Sequence, residues 1–535
     1  MRETGKTRIF AAILALILFS LVGFYVNRYI KIEGLYMDDL YMWSCYGEQS
    51  FREFAFPIGT STRFRPVYWT LTYLEMMIVR NNVRLFVPIN IILNIGVAFT
   101  IYLFARRLSH NSIFSMLAGY MYLISHFAYY QIAQALGLLE TMSLFMAVVI
   151  LWLLYDFLNL GSKIYFYIAG IVYFLLVFSH ERYLSLMPLF YIALLFVRFR
   201  IHVTSGRGKS RRRGSLAGIV RIRSFDWLFP ILLLALILGI RRFAIGTAVP
   251  AGTGGTEVTD TFQLATALSY ALDQVKYIFG INIGPAYLSG ITWTDVIPEM
   301  KYFVYGSWIP LLLLVVWFLI ISIRRGYFRT TAWFGNHALF LGFIALCIGC
   351  SSVTIRVEMR WVYVSYTGAL LYLGWMIGVI SGREQPERYV GESLKFGKRR
   401  VSDRVLPLLF LVYCVLMTPV ERYYRTYYNQ IYFWENQDRM NSLAEQTVMK
   451  YGIQGVLGKQ VYILGNTYEM TDFYARTFFK VYDPEKTGQG TEIHFIESID
   501  ELPEEASLRN SIVLKEAPEK RGYDDITAES FRNRK

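Results

Sequence analysis

The reading of the fold turns on IFAAILALILFSLVGFYVNRY, Ile9 to Tyr29, and on the short acidic stretch YMDDLY, Tyr36 to Tyr41, that follows it. The first run is long enough to cross a bilayer, which takes ~20 apolar residues. Arg2, Lys6 and Arg8 precede it, and basic residues favour the cytoplasm. The helix is therefore expected to run from inside to outside and to be retained, because no small-residue cleavage site follows it. Asp38 and Asp39 then stand just beyond the outer membrane surface. A lone pair of acids in a loop reads as a solvated turn. Paired carboxylates at a membrane face can also activate a hydroxyl or hold a metal.

The rest of the chain favours a membrane setting. Of its 535 residues, 55% are hydrophobic, and the mean hydropathy is +0.36. A soluble protein of this size does not need so much apolar sequence. The net charge of +14 is distributed between apolar runs, a positive-inside pattern rather than a nucleic-acid patch. Cys347, Cys350 and Cys414 lie inside apolar runs, so no disulfide framework is expected. Cys347 and Cys350 form a CxxC without neighbouring His or acid, and read as small core residues.

Ten further spans are expected: Leu85 to Phe104, Ile113 to Tyr130, Leu138 to Leu158, Ile164 to Phe178, Tyr183 to Phe199, Phe225 to Ile240, Phe303 to Ile323, Ala338 to Ile355, Trp361 to Ile380 and Val405 to Thr418. The expected fold class is an all-α polytopic membrane protein of about eleven spans, with a small extracytoplasmic α/β C-terminal domain. Residues 1–419 form the membrane module. Within it, 31–84 is the first outer loop, with an interfacial helix over Val67 to Val79, and 244–302 is a long outer loop. Residues 420–535 form a helical neck, Tyr423 to Tyr451, and the small domain. Strands are expected at Gln460 to Leu464, Ile493 to Ile496 and Ser511 to Leu514, a helix at Met470 to Tyr482, and a frayed end from Lys515. The basic segment from Arg198 to Arg223 and the charged loop from Arg383 to Arg404 are placed inside. The GTGG within Gly252 to Thr256 matches no phosphate loop, since no Gly-Lys-Ser/Thr follows.

This topology brings ionisable residues from many helices to the outer face. They are Asp38 and Asp39; Arg63 and Arg65; Glu140; His180, Glu181 and Arg182; Arg241 and Arg242; and Arg356, Glu358 and Arg360. Ionisable groups at membrane depth are costly and usually functional. Each has a plain alternative as well: Arg182 or Arg360 can snorkel to phospholipid headgroups, and Glu140 can pair with an arginine. Several arginines beside an apolar bundle suit a lipid-linked phosphate, because guanidinium pairs with phosphate bidentately. A carboxylate facing them can take a proton from an attacking hydroxyl. A sugar leaving a lipid phosphate requires both.

On these residues the chain resembles the GT-C class of membrane glycosyltransferases, notably protein O-mannosyltransferases and bacterial aminoarabinose transferases. MDDLYMW (37–43) looks like the acidic motif of that class's first outer loop. LLETMSLF (138–145) is similar to the acidic motif at the start of the fourth helix. SHERYLSLMPL (179–189) looks like the outer turn before a helix bearing a mid-membrane proline. EMRWVYV (358–364) resembles the Arg-Tyr motif of a late helix. The sequence departs at Gln134, where mannosyltransferases tend to have Arg, at Trp361, which replaces the Tyr, and at RFRPVYW (63–69), which lacks the usual His. The resemblance implies transfer of a sugar, with inversion, from a polyprenyl-phosphate donor to a hydroxyl of a glycan, lipid or protein acceptor on the extracytoplasmic face. Asp38 is then the base, and Asp39 orients the acceptor or binds a divalent cation, Mg or Mn; no other cofactor is implied. Glu140 is the second acid of the catalytic group. Arg63, Arg65, Arg182, Arg241, Arg242, Arg356 and Arg360 hold the donor phosphate, and His180, Glu181 and Glu358 contact substrate. Membrane lipid is the other expected partner, and nucleic acid is not one. Two alternatives stay open. A lipid-linked glycan polymerase or ligase needs no acidic pair after the first span. A lipid-linked sugar transporter or flippase predicts inverted repeats and broken helices.

Overall fold

The computed structural model describes residues 5–59, 63–205, 222–250, 262–283, 290–354, 356–382, 402–427, 432–467, 470–483 and 490–532. The GTGG loop, the centre of the basic segment and nearly all of the charged loop from Arg383 to Arg404 lie outside the described residues.

Helices dominate. In chain order they are α1 (Gly5–Val26), α2 (Met37–Glu48), α3 (Phe51–Ala55), α4 (Pro66–Val79), α5 (Phe86–Ser109), α6 (Ser112–Ile124), α7 (Tyr129–Ile132), α8 (Gly137–Leu160), α9 (Lys163–Val177), α10 (Pro188–Ser205), α11 (Ser224–Ile245), α12 (Leu264–Ile278), α13 (Pro298–Arg324), α14 (Thr331–Ser352), α15 (Met359–Ile380), α16 (Ser402–Thr426) and α17 (Tyr432–Ala444). Among the described residues, nine helical segments are long and apolar enough to span a bilayer: in α1, α5, α8, α10, α11, α13, α14, α15 and α16. The chain is a multi-pass helical membrane protein. The expected third and fifth spans correspond to the shorter apolar helices α6 and α9.

The third expected span ends early, and the reason is local. Ser125 leaves the helix with φ −57° and ψ 134°, and its hydroxyl accepts from Phe127 N–H. The carbonyls freed at Leu123, Ile124 and Ser125 are taken by the Arg425 guanidinium at 3.3, 2.9 and 2.7 Å. Arg425 also donates to Asn27 Oδ1 at 3.0 Å. Unpaired carbonyls in apolar surroundings are expensive, so one arginine ties the ends of α1, α6 and α16 together. Beside it, buried Glu421 accepts from His126 N–H at 2.8 Å. At the opposite end of the bundle, Arg106 donates to Arg8 O at 3.2 Å, and Lys163 pairs with Asp226 at 2.5 Å.

The segment 31–84 is more helical than the sequence reading anticipates. The acidic pair lies in the first turn of a helix rather than in a loop. Carboxylates in a first turn complement the helix dipole, which favours this outcome. α3 begins with a capping box between Ser50 and Glu53. α4 starts with Pro66 and falls where the interfacial helix is expected. It buries Tyr68, Thr72, Glu75 and Met76, while Leu74, Met77 and Ile78 are exposed. In the long loop 244–302 a helix not anticipated from the sequence appears, α12. Its Gln274 is buried and bonded to Ser351 and Ser352 on α14.

The C-terminal domain holds a four-stranded sheet of order β2-β1-β3-β4: β1 (Gln460–Leu464), β2 (Glu492–Ile496), β3 (Ser511–Ala517) and β4 (Gly522–Asp525). β1 pairs parallel with β2 and β3, and β4 is antiparallel to β3. The three expected strands are present. The expectation of a frayed end from Lys515 is overturned: β4 and a last helix, Thr527–Arg532, follow. Asp525 caps that helix through Thr527 N–H at 2.8 Å, and Tyr523 and Phe531 are buried. The expected helix at Met470 to Tyr482 is a helix only over Asp472–Thr477, then a 3-10 turn.

This domain docks on the chain leaving α1. Asn441 Oδ1 accepts from Glu33 N–H at 2.7 Å, and Gln437 Nε2 donates to Gly34 O at 2.7 Å. A Cβ on Gly34 would stand 2.3 Å from Met440 O, so only glycine permits this approach. The domain therefore sits at the same end of the bundle as the acidic stretch.

Candidate active site

A cavity of about 760 Å³ opens at this end. It falls in the range of small-molecule sites. Arg63, Arg65, Arg182 and Arg360 line it, with Asp38, Glu140, Glu181 and His180. The remaining wall is mostly apolar and aromatic, including Trp69, Leu139, Leu184, Leu346 and Trp361. Ala345 and Ser351, both on α14, border it. Six residues at 1.5 Å each put them ~9 Å apart along the helix. The cavity is thus charged at one end and greasy along its length.

The charges are organised as pairs. Arg65 meets Glu181 in a fork, Nε to Oε2 at 2.7 Å and Nη2 to Oε1 at 3.0 Å. Arg182 donates to Glu140 and to Tyr183 OH. Arg360 Nε reaches Glu358 at 2.6 Å and Glu140 at 3.8 Å. Arg356 holds the other oxygen of Glu358 at 2.8 Å. Trp361 lies between the two site arginines, 5.6 Å from Arg182 and 5.7 Å from Arg360. Arg182 Nη1 is buried and makes no hydrogen bond among the described residues.

The balance of charge favours an anion. Arg241 is fully buried and bonded to Val249 O at 3.1 Å, behind the cavity wall. With it, six guanidiniums (Arg63, Arg65, Arg182, Arg241, Arg356 and Arg360) surround four carboxylates, Asp38, Glu140, Glu181 and Glu358, while burial pushes the neighbouring Asp39 and Glu75 carboxyls toward the neutral form. Buried cations are tolerated when they are paired or when a ligand completes the pairing. His180 adds no positive charge. Burial, and then Arg182, Arg65, Arg360 and Arg63, hold its imidazole well below the usual range.

Of the residues expected at the site, Asp39, Arg241, Arg242, Arg356 and Glu358 do not line the cavity. Arg356, Glu358 and Arg241 support it from behind. Arg242 is exposed and donates to Gly246 O, on a different surface. Asp39 is 2% exposed and accepts from Ala135 N–H at 2.8 Å and Leu136 N–H at 2.9 Å. It clamps α2 to the turn before α8 and so sets the position of Glu140. Both of its oxygens are engaged by backbone. Among the described residues, no group of three or more His, Cys, Asp or Glu side chains is placed to hold a metal. Gln134 and Trp361 both line the cavity.

Sequence reasoning missed Tyr68 and Glu75, which lie behind Asp39 on α4. Neither Glu75 oxygen has a hydrogen-bond partner among the described residues. Burial, with a contribution from Asp39, pushes the Glu75 carboxyl up to about 8. Burial likewise pushes Asp39 up to about 7, against the two N–H donors that pull it down. A carboxyl raised in the folded state favours folding most at low pH. That contribution is lost as pH rises from the unfolded value near 4 through 7. Wild-type thermal stability in detergent should therefore fall more steeply from pH 4 to pH 7 than that of Asp39→Asn. Parallel curves for the two proteins would show that burial leaves the Asp39 carboxyl unshifted.

No family model matches the chain, and no curated protein matches it.

Proposed function

We propose that this protein is a membrane glycosyltransferase that moves a sugar from a polyprenyl-phosphate donor to an acceptor hydroxyl on the extracytoplasmic face. The observation that carries this reading is a single cavity with arginines from separate elements at one end, an exposed carboxylate at Asp38, and an apolar wall along α14. The arginines suit the phosphate and the wall suits the prenyl chain. In the reaction, the acceptor oxygen attacks C1 of the sugar as the bond from C1 to the phosphate oxygen breaks. The bonding electrons leave with the phosphate, and Asp38 takes the hydroxyl proton. Direct displacement by one base inverts C1.

Asp38 is preferred as the base over Glu140. Glu140 is 3% exposed and already committed to Arg182, with Arg360 and His180 close by. Asp38 is exposed at the cavity and free to take a proton. Glu140 then serves to orient the two arginines.

Protein reconstituted in right-side-out vesicles should release polyprenyl phosphate from a polyprenyl-phosphate sugar when an acceptor glycan or lipid is supplied outside. Inside-out vesicles should not. Donor movement across the bilayer without release of the phosphate would instead establish a flippase.

A further inference from the structure

The acidic stretch is not held by the membrane module alone. Met37, the residue before Asp38, has φ +46°, a left-handed conformation that side chains other than glycine seldom adopt. It is the first residue of α2, whose leading N–H groups have no partner within the helix. Its N–H donates to the hydroxyl of Tyr474 at 2.9 Å, and Tyr474 belongs to the C-terminal domain. The neighbouring Tyr36 ring stacks on the Tyr474 ring, with centroids 5.7 Å apart and planes 12° apart. An unfavourable backbone beside a candidate base is thus secured on both sides by one tyrosine from another domain. Strain of this kind persists only when its surroundings impose it, and it concentrates at functional sites.

We propose that Tyr474 is a positioning residue. It fixes the left-handed Met37 and thereby aims Asp38 into the cavity, so the C-terminal domain completes the active site. The proposal rests on the reading of Asp38 as the base. It gives the domain a role that the membrane module cannot supply for itself. Other contacts also anchor the domain, through Asn441 and Gln437, so loss of the Tyr474 hydroxyl should leave docking intact. Burial, then Tyr36 and Asp38, keep that hydroxyl protonated. It can accept from Met37 across the physiological range of pH.

The test is a double-mutant cycle on full-length protein with kcat, KM and donor binding measured separately. Tyr474→Phe keeps the ring and removes only the hydroxyl. It should lower kcat about tenfold, the scale of one lost hydrogen bond, and leave donor binding unchanged. Glycine adopts positive φ without penalty. In a Met37→Gly background the same change should therefore cost less than about threefold. An equal loss in both backgrounds, or a kcat within about twofold of wild type for Tyr474→Phe, would overturn the positioning role if Asp38→Asn still abolishes turnover. Normal turnover by Asp38→Asn would overturn the reading of the base itself, and this proposal with it.

Discussion

Asp38→Asn should reduce sugar transfer by about 10²–10⁴-fold, the usual contribution of a positioned base. A hydroxyl is a poor nucleophile until its proton is removed in the transition state. Asn has nearly the shape of Asp but no basicity. The side chain is exposed and lines the cavity mouth, so its replacement buries no unpaired group. Folding and donor binding should be unchanged, and the loss should fall on kcat. Asp39→Asn differs in kind. It removes one acceptor from the pair of N–H donors at Ala135 and Leu136, and so loosens the turn before Glu140. Its effect should appear first in stability. If Asp38→Asn transfers sugar at near the normal rate while Glu140→Gln abolishes transfer, the base is Glu140 and the acidic stretch is structural.

The membrane architecture was legible because it depends on composition and length. Runs such as Leu138 to Leu158 and Trp361 to Ile380 emerge as helices Gly137–Leu160 and Met359–Ile380. The sheet was legible at Gln460 to Leu464 because Val461 and Ile463 alternate on a short strand. β4 was not, since Gly522-Tyr523-Asp524-Asp525 is polar and gains its place by pairing with β3. The acidic pair read as a loop because two adjacent acids after a span have no helical period of their own. What makes it a helix start is long-range, namely Tyr474 on Met37 and the α7–α8 turn on Asp39. The convergence of Arg65, Glu140, Glu181, Arg182 and Arg360 followed from alternation of the spans. Which arginine meets which carboxylate did not. Arg242 and Arg241 are neighbours in sequence, yet one is exposed and the other fully buried. Helical rotation of ~100° per residue separates them, a phase that the run of leucines before them does not reveal. Arg425, His126 and Glu421 were overlooked because they stand in tyrosine-rich stretches at the ends of apolar runs. Their purpose, closing the broken end of α6, exists only once the helices are packed.

The second large effect is expected at Arg182 and Arg360. Arg182 lines the cavity, its Nη1 is a buried donor with no hydrogen-bond partner among the described residues, and Arg360 shares Glu140 and Trp361 with it. A phosphate seated there would satisfy the open donor and the local excess of positive charge. Hydrogen bonds to charged groups contribute ~1.5–3 kcal/mol each, so Arg182→Ala with Arg360→Ala should weaken donor binding by at least about a hundredfold. The double change also leaves Glu140 buried without either arginine, and an unpaired buried charge destabilises the fold. Lysine replacements separate the two effects. Arg182→Lys and Arg360→Lys retain a positive charge beside Glu140 but lose the planar fork. They should fold normally and still bind the donor about tenfold more weakly each. The anion, not the sugar, should be the group whose recognition is lost. Inorganic phosphate or polyprenyl phosphate should therefore compete with the donor on wild-type protein and compete about tenfold more weakly on each lysine variant. If both lysine variants bind the donor as tightly as wild type, these arginines hold Glu140 and Glu358 in place for structural reasons. The phosphate must then sit at Arg63 and Arg65, on the Glu181 side of the cavity.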